Sequence, residues 1–166
     1  MKHKKSDKKE FADLLEQNIG IIHKVSRLYT NNPVDKEDLF QDICFQLWRS
    51  YGSYREEAQL STWMYRVAIN TAVSQIRKRK NIVIPVEEFQ EQQDDRDNSE
   101  KEEQIQLLYK AISLLNKIDK AIIMLWLEEK KYEEIAGILG ISTSNVSVKL
   151  FRIRQRLSEK MKGLEI

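Results

Sequence analysis

Between Tyr132 and Arg156 the chain reads YEEIAGILGISTSNVSVKLFRIRQR, and no other stretch limits its conformation so narrowly. Tyr132, Ile135, Ala136 and Leu139 recur at three- and four-residue intervals, the spacing of one helical face. Gly140 follows as the residue able to take a left-handed C-cap, and Ser142 or Thr143 can N-cap a second helix. At 100° per residue, Val146, Leu150, Ile153 and Leu157 of that second helix fall in one narrow apolar stripe. Ser144, Asn145, Val148, Phe151, Arg152 and Gln155 then point away from it. A helix presented in this way can lie in a DNA major groove. The simpler reading is an amphipathic hairpin with a solvated basic face. Phe151 argues against it, because a large apolar ring has no reason to face water unless something covers it.

Upstream, the same periodicity marks further helices. Phe11, Leu14, Leu15, Asn18, Ile22, Val25 and Tyr29 describe one long helix ending near Asn31, Asn32 and Pro33. Asp35, with Asp38 three residues on, is the expected N-cap of a second, which runs to about Tyr51 and buries Leu39, Ile43 and Leu47. Gly52 to Ser61 reads as a loop, and a third helix spans about Thr62 to Lys80 with Val67 and Ala68 inward. Ile105, Leu108, Ile112 and Leu115 mark another helix, and Ile118, Ile122 and Leu125 one more. Nothing alternates with the period of a strand, so the expected fold class is all-α, without internal repeats or a glycine-rich phosphate loop.

The net charge of +2 hides a strong partition along the chain. Residues 1–80 hold 15 Lys/Arg against 10 Asp/Glu, residues 81–104 hold 2 against 9, and residues 105–166 hold 11 against 7. Two basic blocks therefore flank an acidic one. Basic blocks suit a polyanion, although an excess this small also serves solubility. Glu87 to Glu103 is almost wholly polar and too poor in apolar surface to offset the entropy of ordering, so it reads as a linker. The expected organisation is a helical domain over residues 1–80, a flexible acidic linker over 81–104 and a helix-turn-helix domain over 105–166. Cys44 stands alone and the two histidines, His3 and His23, lie far apart, so neither a disulfide nor a metal site is indicated. No cofactor is expected. No apolar run approaches the roughly 20 residues that span a bilayer, and the start MKHKKSDKK leads into no signal-peptide core. A reducing cytoplasm is the expected location, without membrane insertion.

Two other segments carry chemistry. In DLFQDICFQLW the buried stripe leaves Asp38, Gln41, Asp42 and Phe45 on the opposite side, where two carboxylates beside an aromatic suit a protein partner with basic groups. Helical carboxylates at this spacing are often merely solvated. A general acid and base pair is disfavoured because no nucleophile, metal ligand or orienting histidine accompanies them. In STWMYRVAINTAVSQIRKRK, Trp63, Tyr65, Arg66, Asn70 and Ser74 precede the run Arg77 to Lys80. Aromatics interleaved with amides and cations suit single-stranded nucleic acid, whose bases stack while its backbone is held by charge. The competing fate of Trp63 and Tyr65 is a small helical core. The preceding loop, Tyr51 to Ser61, can form a pocket wall for an extruded base.

In this order the motifs resemble the extracytoplasmic-function group of the bacterial sigma-70 family. DLFQDICFQLWRSYGSYREEAQLSTWMYRVAINTAVSQIRKRK is similar to the family's region 2, and LLNKIDKAIIMLWLEEKKYEEIAGILGISTSNVSVKLFRIRQRL to its region 4. The resemblance implies an initiation factor, not an enzyme, that binds core RNA polymerase and directs it to promoters. It implies that Asp38, Gln41, Asp42 and Phe45 meet the polymerase β′ clamp helices. Tyr54, Trp63, Arg66, Asn70, Ser74 and Arg77 would lie at the minus-10 element, with the Tyr54 to Ser61 loop cupping a flipped base. Ser144, Asn145, Ser147, Val148, Phe151 and Arg152 would face the minus-35 major groove. The β flap and an anti-sigma factor are further implied partners, and the acidic linker would follow the polymerase's RNA path. The alternatives are a stand-alone helix-turn-helix regulator, which would not need the Asp38 to Trp48 face, and a purely protein-binding scaffold, which would not need Phe151 and Arg152 together. Two departures from the family pattern stand out. Leu115-Asn116 replaces the usual Leu-Pro, so a less firmly fixed helix start is expected there. Ser144-Asn145-Val146-Ser147-Val148-Lys149 replaces the usual Gly-Thr-Val-Lys-Ser-Arg, which implies weaker phosphate attraction and contact of Val148 with a thymine methyl.

Overall fold

Two asparagines open two of the helices by the same local chemistry. Asn32 Oδ1 accepts from the Asp35 amide at 2.8 Å while its Nδ2 donates to Asp35 Oδ2 at 2.7 Å. Asn116 repeats this with Asp119, at 2.9 and 3.1 Å. In each case the asparagine satisfies an otherwise unpaired amide of the first turn and the aspartate places negative charge at the positive end of the helix. The N-cap of the second predicted helix is therefore Asn32, with Pro33 as its first residue, and Asp35 is the third residue of the box instead of the cap. The expected looseness at Leu115-Asn116 is likewise not found. A hydrogen-bonded cap does there what a proline would do by fixing φ.

The computed structural model describes residues 5–54, 58–80 and 100–164, and among these no strand occurs. The helices are α1 (Lys5–Gln17), α2 (Ile19–Tyr29), α3 (Pro33–Tyr51), α4 (Leu60–Lys80), α5 (Glu100–Ser113), α6 (Lys117–Leu127), α7 (Tyr132–Leu139) and α8 (Thr143–Leu164). The chain divides into two units, α1 to α4 in the first and α5 to α8 in the second. The acidic linker expected over 81–104 falls mainly at residues 81–99, outside the described residues; Glu100 to Gln104 form the first turn and more of α5.

The first predicted helix is two. Asn18 leaves the helical well at φ −121° and ψ 17°. Its Nδ2 donates to the Leu14 carbonyl at 2.9 Å, occupying the acceptor that the helix would give its backbone amide, which turns to Leu15 O at 3.2 Å. A short amide side chain thus competes with the helix at its own residue. Within this unit α2, α3 and α4 pack on one another around Ile22, Val25, Leu39, Ile43, Leu47, Met64, Ala68 and Ala72, all buried. Phe11 fastens α1 to α3, its ring 5.1 Å from Trp48 and 5.2 Å from Tyr51. The third predicted helix begins slightly early, at Leu60, with the Trp63 amide already donating to Gln59 O at 3.1 Å.

In the second unit α6 is central. Ala121 to Leu125 are buried without a break, because α5, α7 and α8 cover the helix from different sides. Ile118, read as part of its buried stripe, is exposed because it lies in the first turn, ahead of that enclosed stretch. α6 ends with the Lys130 amide donating to Leu125 O and the Glu129 amide to Trp126 O, both at 3.0 Å, which puts Glu129 at φ 61°. α7 ends at Gly140, φ 69°, with the Gly140 and Ile141 amides on Ala136 O at 2.9 and 3.2 Å. Both reversals satisfy end-of-helix carbonyls through a left-handed residue. α7 buries Ile135, Ala136 and Ile138, whereas Tyr132 is exposed and Leu139 only half-buried. The buried face is thus rotated slightly from the one expected. Ser142, rather than Thr143, caps α8, its Oγ accepting from the Asn145 amide at 3.1 Å.

Candidate functional site

On α8 the buried stripe is Val146, Leu150, Ile153 and Leu157, as the spacing requires. Ser144, Asn145, Ser147, Val148, Phe151, Arg152 and Gln155 are exposed. The two apolar members stand well out of the surface, Val148 at 50% and Phe151 at 65% exposure. Ser144, Val148 and Arg152 succeed one another at four-residue steps and form a single ridge, with Phe151 beside it. The basic residues of α8, alike in the sequence, are separated by their surroundings. Arg154 lies over the Trp126 ring at 5.0 Å, and Arg156 Nη1 lies 3.8 Å from Asp119 Oδ2. Both are thereby turned toward α6. Arg152 has no such partner among the described residues and stays with the exposed ridge. Nothing in the sequence distinguishes these arginines, since Trp126 and Asp119 lie far from them along the chain.

In the first unit Asp38, Gln41, Asp42 and Phe45 are all exposed along one side of α3, opposite Leu39, Ile43 and Leu47. Phe45 is 58% exposed. Asp42 Oδ2 accepts from Gln75 Nε2 at 2.7 Å, a link to α4 that the sequence did not signal. It holds one carboxylate of the acidic face in a fixed orientation beside the outer surface of α4. Cys44, the lone cysteine, is half-buried, and burial raises its thiol pKa above the ordinary value. A thiol so placed is less nucleophilic than a free one.

On α4, Arg66, Asn70, Ser74 and Arg77 share one face over about three turns, roughly 16 Å at the α-helical rise. Asn70, Ser74 and Arg77 are exposed and Arg66 is half-exposed. Trp63 has the same helical phase but is only 8% exposed, its ring 4.8 Å from that of Tyr54. Tyr54 is half-buried, and its hydroxyl donates to the Ala58 carbonyl at 2.8 Å, two residues before α4 begins. Tyr65 is buried in the core. The aromatics of this segment therefore serve packing first, and the polar ridge beyond them is what solvent reaches. Of the loop expected to cup a base, residues 55–57 lie outside the described residues.

The described residues contain no group of three or more His, Cys, Asp or Glu side chains placed to hold a metal, and no helix long and apolar enough to cross a membrane.

Comparison with known proteins matches residues 14–82 to sigma-70 region 2 and residues 105–157 to sigma-70 region 4, which together take in most of the chain. Among curated proteins, the chain is 29% identical to the ECF RNA polymerase sigma-E factor of Escherichia coli over 176 residues, covering 96% of this chain and 91% of that protein. It is 24% identical to the ECF RNA polymerase sigma factor SigM of Mycobacterium tuberculosis over 157 residues, covering 94% and 79%. Among solved structures, the sigma factor RpoE in complex with the anti-sigma factor NepR from Bartonella quintana superposes with a TM-score of 0.72 at 23% identity, covering 93% of this chain and 98% of that one. CnrH in complex with the cytosolic domain of CnrY gives 0.68 at 15% identity, covering 94% and 90%.

Proposed function

The chain belongs to the sigma-70 family as a sigma factor of the extracytoplasmic-function type, and from that premise we propose how its surfaces divide the work of promoter-specific initiation. The acidic and aromatic side of α3, Asp38, Gln41, Asp42 and Phe45, docks on the clamp helices of core RNA polymerase. The polar ridge of α4, Arg66, Asn70, Ser74 and Arg77, engages the opened minus-10 strand, with Tyr54 and Trp63 supporting it from beneath. The exposed ridge of α8, Ser144, Asn145, Ser147, Val148, Phe151 and Arg152, enters the minus-35 major groove. The second unit also meets the β flap. The factor has no catalytic activity of its own, needs no cofactor and works in the cytoplasm. One similar structure holds a sigma factor in complex with an anti-sigma factor, which supports an anti-sigma protein as a further partner here.

One observation carries this division: each matched region exposes a large aromatic among polar groups on a helix whose opposite side is fully buried, Phe45 at 58% in the first and Phe151 at 65% in the second. A stand-alone helix-turn-helix regulator would need only the second. Run-off transcription with purified core polymerase separates the two. Phe45→Ala should abolish transcript by weakening assembly with core, and Arg152→Ala should leave assembly intact while reducing promoter occupancy. A chain that binds duplex DNA fully without core, and yields no transcript with it, is a regulator instead.

A further inference from the structure

We infer that Val148 and Phe151 form an apolar reading head that selects thymine by its 5-methyl group, and that this contact contributes more to this chain's duplex preference than hydrogen bonding from the same positions could. The inference rests on α8 entering the major groove and goes further in naming what is read there. Val148 and Phe151 are three residues apart, hence neighbours on the helix surface, and both project beyond it at 50% and 65% exposure. Neither can collapse onto the core, because Val146, Leu150 and Ile153 already fill that side. The helix beneath them is fixed at its start by the Ser142 cap and by the left-handed Gly140. A valine on a helix has essentially one side-chain rotamer, so its methyl groups are held in place before any ligand arrives.

In the major groove the only methyl on a base edge is that of thymine, and cytosine offers only a C–H at the equivalent place; the other groups that distinguish the base pairs there are donors and acceptors. An exposed valine has neither, so it can gain only by covering that methyl or lose by leaving a polar edge dry. Ser144, Asn145 and Arg152 surround the pair and supply hydrogen bonds to flanking bases or phosphates. The division is thus polar at the rim and apolar at the centre.

The test uses the full chain assembled with core polymerase and an upstream duplex selected by that holoenzyme from a random pool. Each thymine of the protected upstream block is replaced in turn by deoxyuridine, which removes the methyl and keeps every hydrogen-bonding group. Loss of one buried methyl should weaken binding about three- to fivefold at one or two positions. At such a position Val148→Ser or Phe151→Ala should bind the thymine duplex as the parent binds the uridine one, with no further loss on uridine. Circular dichroism and core-binding affinity should stay at parental values, since both side chains are exposed. If the parent discriminates upstream sequences yet ignores uridine at every position, the methyl-reading proposal is overturned while α8 remains in the groove. If parent, Val148→Ser and Arg152→Ala all bind without upstream preference, the placement of α8 itself is wrong and this inference falls with it.

Discussion

Arg156 and Asp119 join the far half of α8 to the first turn of α6, guanidinium to carboxylate at 3.8 Å. The carboxylate is 8% exposed and already held by the Asn116 cap, whereas the guanidinium is 61% exposed. The pair is therefore screened on its cationic side and weak as a source of stability. Its consequence is to turn Arg156 away from the reading ridge, as Trp126 does for Arg154. Arg152→Ala should weaken promoter binding by about 1 to 3 kcal/mol, the range for a bidentate base contact. Arg154→Ala should instead cost stability, about 0.5 to 1 kcal/mol from the lost stacking, and shift Trp126 emission. Arg156→Gln should change promoter affinity less than Arg152→Ala does. Equal losses of affinity in all three, measured by promoter retention of the holoenzyme, would show that their internal contacts do not sort them.

The two left-handed residues flanking α7 should respond oppositely to substitution. Glu129 bears a side chain at φ 61°, a conformation costing about 1 to 2 kcal/mol for an L residue, so Glu129→Gly should stabilise the fold by about 0.5 kcal/mol after the added freedom of the unfolded chain is subtracted. Gly140 sits at φ 69° with nothing within 4 Å of an added Cβ. Gly140→Ala should therefore cost only the backbone term, about 1 kcal/mol, and Gly140→Asn less. Urea denaturation of the three variants measures this, and a neutral Gly140→Ala would contradict the turn geometry.

Trp63 and Asn70 occupy the same segment but should fail differently. Trp63→Ala removes a buried ring packed on Tyr54 and should destabilise the first unit by about 3 to 5 kcal/mol. Asn70→Ala, on the exposed ridge, should leave stability within about 0.5 kcal/mol and reduce permanganate-reactive open complex while sparing closed-complex binding. Full open-complex formation by Asn70→Ala would take that residue out of strand opening.

Ser26 is fully buried, and its Oγ lacks a hydrogen-bond partner among the described residues. Its backbone carbonyl accepts from Thr30 Oγ1 at 2.6 Å, a contact the side chain does not need. Ser26→Ala removes an unsatisfied polar group and places a better helix former, so it should stabilise the protein by about 1 kcal/mol. A lower thermal midpoint would mean that the hydroxyl is satisfied by bound water.

The sequence by itself determined most of the helices and the inward faces of α3 and α8, because both follow from local spacing; on α6 and α7 the packing of neighbouring helices shifted the buried face, leaving Ile118 and Tyr132 exposed. Leu39, Ile43 and Leu47 on α3, and Val146, Leu150, Ile153 and Leu157 on α8, are buried as their intervals demand, and the exposed positions opposite them follow by subtraction. The family was legible for the same reason, since its motifs are ordered runs along the chain. Local chemistry still misled where one side chain had two uses. Asn18 breaks a periodic helix by taking the Leu14 carbonyl, and Asn116 caps α6 where a proline was missing. What only the tertiary structure decided is which polar and aromatic groups remain free for a partner. Arg154 is drawn to Trp126, Arg156 to Asp119, Gln75 to Asp42 and Trp63 beneath Tyr54 by contacts between different elements. Periodicity along one helix says which way a residue points, but not what stands opposite it. That depends on how neighbouring elements pack, and it is the packing that leaves Arg152, Val148 and Phe151 as the exposed ridge of α8.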